Sequence, residues 1–336
     1  MKTIKQILKT REASSFLFLA ALIFIVGLVN NSFWQPASIL NCFNDSVVFT
    51  LLAVGIAFVI LTGEIDVSIG AVLGLSASVG ATLLRDGAGW GIAILSALAV
   101  GAVVGFINGY GVSVLGIPSL IFTLGVNGVV RGLIYVYTKG AWVENLPPAY
   151  TKLSNVMLPG GLTVIYAIVL LMVIAGHLLL TRTRKGRYFV AVGDNASGAT
   201  LVGIATVKTK VSAYVLCSVF AAFAGMIYTS RIGFITPTAG NGYEMKAIAA
   251  CVLGGLSLSG GQGSLLGAAI GAIIMSSISR ILVFLGFSSN YDNTITGIML
   301  ITIVVINTVA HNRAIVNNRH EILAARTAGS SEKGEN

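Results

Sequence analysis

The residues able to do chemistry in this chain are few, and they stand in short-range pairs. Gly63-Glu-Ile-Asp-Val-Ser-Ile-Gly70 sets Glu64 and Asp66 beside Ser68, Asn127 and Arg131 are four residues apart, and Glu244 and Lys246 flank Met245. All of them lie inside or at the edges of long apolar stretches. A charge there is costly in hydrocarbon and is by default a functional candidate. Glu64 and Asp66 could gate a passage, and Asp66 with Ser68 could equally cap the helix that follows. Asn127 and Arg131 share one helical face. Arg131 could snorkel outward past Tyr135 and Tyr137, or it could pair inside the bundle and border a solute route. Glu244 suits a helix N-terminus, where the backbone dipole favours a carboxylate, and Lys246 can snorkel. Asn127, Arg131, Glu244 and Lys246 are therefore the candidate substrate pathway.

Catalysis has no comparable constellation. His177, His311 and His320 stand apart from paired carboxylates, and Cys42, Cys217 and Cys251 are too scattered for a disulfide framework or a metal site. No Gly-x-x-x-x-Gly-Lys-Ser/Thr loop occurs, so ATP phosphates cannot be cradled in the usual way. The expectation is no catalytic, metal-binding or cofactor-binding residue in this chain, and a transporter subunit rather than an enzyme.

The elements that must position these residues are membrane spans. The chain is 55% hydrophobic and 10% charged, with a mean hydropathy of +0.89, outside the usual range of a soluble domain. Spans of roughly 17–25 residues fit at 13–30, 45–62, 68–84, 90–113, 119–137, 162–180, 211–229, 245–258, 264–285 and 293–309, the eighth being short. The fold class expected is an all-α polytopic membrane protein of about ten transmembrane helices. Lys and Arg exceed Asp and Glu by 21 to 12, and the cations gather in the N-terminal tail, in the loop 181–210 and in the C-terminal tail. The positive-inside rule then puts both termini and that loop in the cytoplasm, and leaves no reason to expect nucleic acid as a partner. The organisation is a cytoplasmic tail at 1–12, a permease domain at 13–309 and a cytoplasmic tail at 310–336, with 31–44, 138–161 and 230–244 outside.

Glycine recurs every fourth residue at Gly101, Gly105 and Gly109, and again at Gly263, Gly267 and Gly271. Each set makes a face on which a neighbouring backbone can come close. The two sets become equivalent if spans 2–5 repeat as 7–10 with opposite orientation, the inverted repeat common in transporters.

Four motifs in order, the segment 63–70, Thr123-Leu-Gly125 with Arg131-Gly132, the loop from Gly186 to Ile204, and Glu244 to Gly255 followed by Gly260-Gly-Gln-Gly263, resemble the monosaccharide permeases of ABC importers over roughly residues 13–309. Within that family Gly140 to Pro147, Val192 to Asn195 and Ile232 to Gly255 are most similar to the branch that imports autoinducer-2, a ribose- or rhamnose-type sugar being the alternative cargo. The resemblance implies a bacterial inner-membrane subunit with four kinds of protein or small-molecule partner: cytoplasmic ABC ATPases that use ATP and Mg, an extracytoplasmic solute-binding protein, a second permease subunit, and a small hydroxylated solute. It also makes Asn195, Ala196, Ser197, Gly198, Ala199, Thr200, Leu201, Val202, Gly203 and Ile204 the segment coupled to the ATPase. Asn195 or Asp194 can cap a short helix there, and Gly203 can stop it. Glu64 and Asp194 stand where the sugar permeases commonly have glycine. The rival class, an ion-coupled secondary transporter, would carry carboxylates in mid-span, and by this count Asp66 and Glu244 sit at span ends.

Overall fold

The computed structural model describes residues 11–286 and, beyond them, 288, 291, 294–299, 301, 302 and 305. Thirteen helices account for most of the described residues: α1 (Arg11–Val29), α2 (Pro36–Asp45), α3 (Val47–Leu61), α4 (Ile69–Arg85), α5 (Trp90–Ser113), α6 (Ser119–Thr138), α7 (Pro148–Leu153), α8 (Val164–Arg182), α9 (Arg184–Asp194), α10 (Ala196–Leu201), α11 (Thr206–Ile232), α12 (Tyr243–Leu253) and α13 (Leu265–Phe284). The chain is an all-α polytopic membrane protein. Five helices, α5, α6, α8, α11 and α13, are long and apolar enough to cross a bilayer. Among the described residues one further pair, α2–α3, is long and apolar enough only when its two helices, bent by 42° at their junction, are taken together. The tails 1–10 and 310–336 fall outside the described residues, and of the span expected at 293–309 only 294–299, 301, 302 and 305 are described.

Helix α3 is apolar on every side and is buried at every residue but Phe49, the pattern of a helix enclosed by others. It packs against α11, α13, α12 and α8. Helix α6 is the opposite case: only Thr123, Val130 and Ile134 of it are buried. The principal packing pairs come in matched sets. Helix α11 against α5 is matched by α3 against α13, α4 against α11 by α12 against α3, and α4 against α5 by α12 against α13. Exchanging α3, α4 and α5 for α11, α12 and α13 leaves this pattern unchanged.

The glycine faces do what their spacing predicts except at Gly263, which precedes α13 with φ +132° and packs on Leu256. A Cβ on Gly101 or Gly105 would lie 2.6 Å from a carbonyl oxygen of α11, and one on Gly109 2.7 Å from Val211 Cα. Gly267 and Gly271 press α13 onto the backbone of α12 at Gly254 and Ala250. Without side chains at these points the axes approach more closely than Leu or Ile would allow.

Two expectations are corrected. The outer loop at 31–44 is largely helical, a 3-10 turn (Asn31–Trp34) followed by α2, because Pro36 at the first position presets a helix whose buried residues Ser38 and Cys42 recur at a four-residue spacing. The eighth span, expected at 245–258, ends as α12 at Leu253. Eleven residues rise about 16 Å, too little to cross. Gly254 and Gly255 stop the helix, and 254–264 continues as irregular backbone with φ of +84° at Gly260 and +70° at Gly261. Irregular backbone survives at membrane depth where protein surrounds it.

Candidate functional site

The first group of polar residues forms at the break between α3 and α4, residues 62–68. Asp66 Oδ1 accepts hydrogen bonds from the Ser68 N–H at 2.8 Å and the Ser68 hydroxyl at 2.7 Å. Asn108 on α5 donates its amide to Ser68 Oγ at 2.7 Å. Asp66, Ser68 and Asn108 are all 0% exposed. The break exposes backbone donors that no helix satisfies, and α6 supplies the acceptors: the Ile65 N–H reaches Ser119 Oγ at 3.3 Å and the Val67 N–H reaches Thr123 Oγ1 at 3.1 Å. Asp66 thus caps the turn before α4 through Ser68, while Ser68, the residue next to the helix, makes no side-chain cap of its own. Glu64 faces the other way and accepts from Lys210 Nζ at 2.6 Å, tying the break to the start of α11.

The second group lies where α4 meets the segment leading into α12. The carbonyl of Gly240 and the carboxylate of Glu244 close over Gly70, and Arg131 approaches the same face at Gly70 and Gly74. Arg131 Nη1 donates to the Ala239 carbonyl at 2.6 Å. Its Nη2, Glu244 Oε2 and Asn127 Oδ1 are buried with no hydrogen-bond partner among the described residues. Three polar atoms on α6 and α12 are thus left unpaired, and two of them, on Arg131 and Glu244, meet at the first turn of α4. Buried polar groups carry a desolvation cost that a hydrogen-bonding ligand would offset. Lys246 does not join them. It is 8% exposed, with its Nζ 5.4 Å over the Phe49 ring on α3. A cavity of about 430 Å³, lined by Asn241, Gly242, Glu244 and Met245 with Thr296, Gly297 and Ile301, opens beside Glu244, within the size range of small-molecule sites. Asp66 and Glu244 are helix-end residues as expected, yet both are buried, since the helices that they begin start inside the bundle.

The third group is the loop 181–210, which folds as two helices. Thr183 caps α9 by accepting from the Gly186 N–H at 2.9 Å, and Asn195 caps α10 by accepting from the Gly198 N–H at 2.8 Å. Gly203, with φ +82°, turns the chain out of α10. Ala199 is buried against its own chain, so it is not on the outer face of α10. That face ends on Leu201 at 88% and Val202 at 76% exposure. The end of α9 is locked to the core by glycines. Gly193 abuts the Leu61 carbonyl at the end of α3, and Gly261 donates its N–H to the same carbonyl at 3.1 Å. A Cβ on Gly261 would stand 2.7 Å from Asp194 Cα, and one on Gly260 2.7 Å from Gly63 N. Three separate motifs of the sequence meet at this point.

At the opposite face Asp45 holds α11 and α13 together, its carboxylate 2.7 Å from Arg231 Nη2 and 2.6 Å from Arg280 Nη2. Tyr150 on α7 donates to the Met226 carbonyl at 2.5 Å and lies 3.0 Å from Thr229 Oγ1. Burial pushes its phenol up to about 12, the Thr229 hydrogen bond working in the other direction. Val143 and Ile235 form an isolated antiparallel bridge between the loops that follow α6 and α11, and Trp142 stacks on Phe234 with centroids 5.3 Å apart.

Asn108, Lys210 and Asp45 were missed as site residues. Asn108 had a readable signal, an amide inside an otherwise apolar span. Lys210 and Asp45 had none, because their partners are 146 and 235 residues away.

The description of a branched-chain amino acid transport system permease component matches residues 38–304. The chain is 38% identical over 323 residues to the autoinducer 2 import system permease protein LsrC of Enterobacter sp. (strain 638), covering 94% of each chain. It is 37% identical to the protein of the same name from Yersinia pseudotuberculosis serotype O:1b (strain IP 31758), over 98% of this chain and 95% of that one. No solved structure matches. A polytopic bundle with three of its motifs meeting beside a helical loop, matched over most of its length, belongs to the family of branched-chain amino acid transport system permease components and is the permease subunit of an ABC importer.

Proposed function

We propose that this chain forms the passage through which a bacterial importer carries autoinducer-2 across the inner membrane. The cargo reading rests on the identity to the LsrC permeases over nearly the full length of the chain. The energy comes from ATP and Mg bound by separate ATPase subunits. A solute-binding protein delivers cargo on the outer side, and a second permease subunit, the same or different, completes the passage. Both termini lie in the cytoplasm, and spans 2–5 repeat as 7–10 in inverted orientation, a reading supported by the matched packing pairs of spans 2–4 and 7–9.

The observation that carries the coupling role is the tip of α10. Leu201 and Val202 present an apolar end to solvent on a helix otherwise made of small residues, and an exposed apolar patch on a capped, ordered loop marks a protein contact. Motion of α10 reaches the passage by two routes. Gly193 and Gly261 lock α9 to the end of α3, and Lys210 pulls on Glu64, which stands two residues from Asp66. The break 62–68 leads directly into Gly70, over which Glu244 and Arg131 sit. Closing of the ATPase dimer therefore moves the segment that faces the unpaired polar atoms of Asn127, Arg131 and Glu244. In this passage Arg131 donates to the hydroxyl and carbonyl oxygens of the solute, and Asn127 and Glu244 accept from its hydroxyls. Lys246 positions α12 against α3.

The test is Leu201→Glu with Val202→Glu in the assembled importer. Two truncated contact residues at about 1–2 kcal/mol each weaken ATPase docking roughly thirtyfold to a thousandfold. Uptake falls accordingly, while the amount of folded permease in the membrane is unchanged. Uptake within twofold of the parent would remove α10 as the coupling segment.

A further inference from the structure

A groove of about 890 Å³ runs along the membrane-facing side of the bundle at the end that carries α9 and α10. Its walls come from three helices: Phe106 and Tyr110 on α5, Leu179 on α8, and Val211 on α11. Its mouth holds Arg184, Lys185 and Lys208, all three exposed, and its lining contains no acidic residue. Tyr110 adds a phenol to the apolar wall, and the groove's two aliphatic hydroxyls are already used within the chain. Thr183 Oγ1 donates to the Leu179 carbonyl at 2.6 Å, and Ser212 Oγ donates to the Thr209 carbonyl at 2.8 Å. What remains for a ligand is an apolar trough with three cations at one end. None of the three cations is in an ion pair among the described residues, whereas Lys210, two residues beyond Lys208, is held by Glu64.

We propose that this groove binds an anionic phospholipid, its acyl chains lying along Phe106, Leu179 and Val211 and its phosphate held by Arg184, Lys185 and Lys208. The geometry follows the bilayer. The trough is walled by α5, α8 and α11, three helices long and apolar enough to span a bilayer, and the cations stand where α8 gives way to α9 and where α11 begins, at the ends of those helices. Basic clusters between helices on this side of a membrane are suited to acidic headgroups. The lipid would brace α9 against α5 and α11, and this site does not depend on which solute is carried.

The purified full-length chain in neutral detergent is titrated with fluorescent phosphatidylglycerol and with phosphatidylcholine of the same chains, at low salt. Each cation near an acidic lipid contributes about a fivefold preference, so the parent binds phosphatidylglycerol roughly a hundredfold more tightly. Arg184→Gln, Lys185→Gln and Lys208→Gln together abolish the preference, while Lys139→Gln with Lys152→Gln, at the opposite face, leaves it intact. Val207→Trp, which fills the trough, weakens binding of both lipids. Equal affinity of the parent for the two lipids would overturn the proposal, as would a preference that survives the triple substitution. Displacement of the lipid by millimolar inorganic phosphate would show an anion site without a lipid site. Crosslinking of a photoreactive group at Phe106 to a second copy of the chain would make the groove a protein interface instead.

Discussion

Gly261→Ala is expected to loosen the attachment of α9 to the core, and the structure gives the size of the effect. Gly261 has φ +70°, and a side chain in that left-handed region costs about 1–2 kcal/mol. Its new Cβ would stand 2.7 Å from Asp194 Cα and 2.8 Å from Asp194 N, overpacking of the kind that costs about 1–3 kcal/mol. The backbone shift that relieves the clash lengthens the Gly261 N–H bond to the Leu61 carbonyl, worth about 0.5–1.5 kcal/mol. One movement serves both of the last two, so they overlap, and about 3 kcal/mol is a reasonable total. Gly116→Ala is the control, since Gly116 has φ +71° but a Cβ there meets nothing within 4 Å. It carries the backbone strain alone, about 1–2 kcal/mol, and its Cβ would touch nothing of α9. Hydrogen exchange of the α9 amides reads the local opening directly. Exchange there rises roughly a hundredfold in Gly261→Ala and stays at the parental rate in Gly116→Ala, and uptake falls only in the former. Equal exchange in the two variants would refute the claim that glycine contacts lock the coupling loop to α3.

Removing the outer clamp with Asp45→Ala leaves Arg231 and Arg280 facing each other without a carboxylate, and thermal stability in detergent falls by about 1–2 kcal/mol, the pairs being partly exposed and therefore screened. The loss shrinks at high salt, whereas a packing defect would be insensitive to it. Tyr150 has a phenol raised to about 12, above the ordinary value of about 10, so its neutral form stabilises the fold below pH 10 and that contribution is lost as pH rises through 12. Tyr150→Phe is less stable at neutral pH by about 1 kcal/mol for the lost hydrogen bonds, and its unfolding free energy falls less between pH 10 and 12 than the parent's. Arg131→Ala and Glu244→Gln each reduce uptake at least tenfold with folded protein retained, while Lys246→Met changes uptake less. A larger loss at Lys246 than at Arg131 would move the passage to the α3 side of α12.

The long spans were legible because their ends are punctuated. Helix α5 runs from Trp90 to Ser113 as the sequence predicts, bounded by Gly89 before it and by Gly116 and Pro118 after it. Helix α12 was drawn too long because Val252-Leu253 and Leu256 are apolar on both sides of Gly254-Gly255. Hydropathy does not distinguish a helix from buried irregular backbone, and the two glycines were the better guide. The cap of α10 by Asn195 and its stop at Gly203 were readable locally, since both act within a few residues. The orientation of α10 was not. Ala199 and Leu201 differ by two positions, and which of them faces solvent depends on how α9 docks, a contact made across Gly261 and Leu61. Burial of Asp66 and Glu244 was hidden for the same reason: a residue at a helix end is at the membrane surface only if the helix spans, and α4 and α12 begin inside.

The most direct measurement is uptake into proteoliposomes holding this chain with its ATPase, binding protein and any second permease, offered labelled autoinducer-2, ribose and rhamnose, with ATP inside or with only an imposed proton gradient. The account predicts ATP-dependent accumulation of autoinducer-2 over the two sugars and none from the gradient. Accumulation driven by the gradient without ATP would contradict it, and would give the buried carboxylates of Asp66 and Glu244 the role of ion carriers.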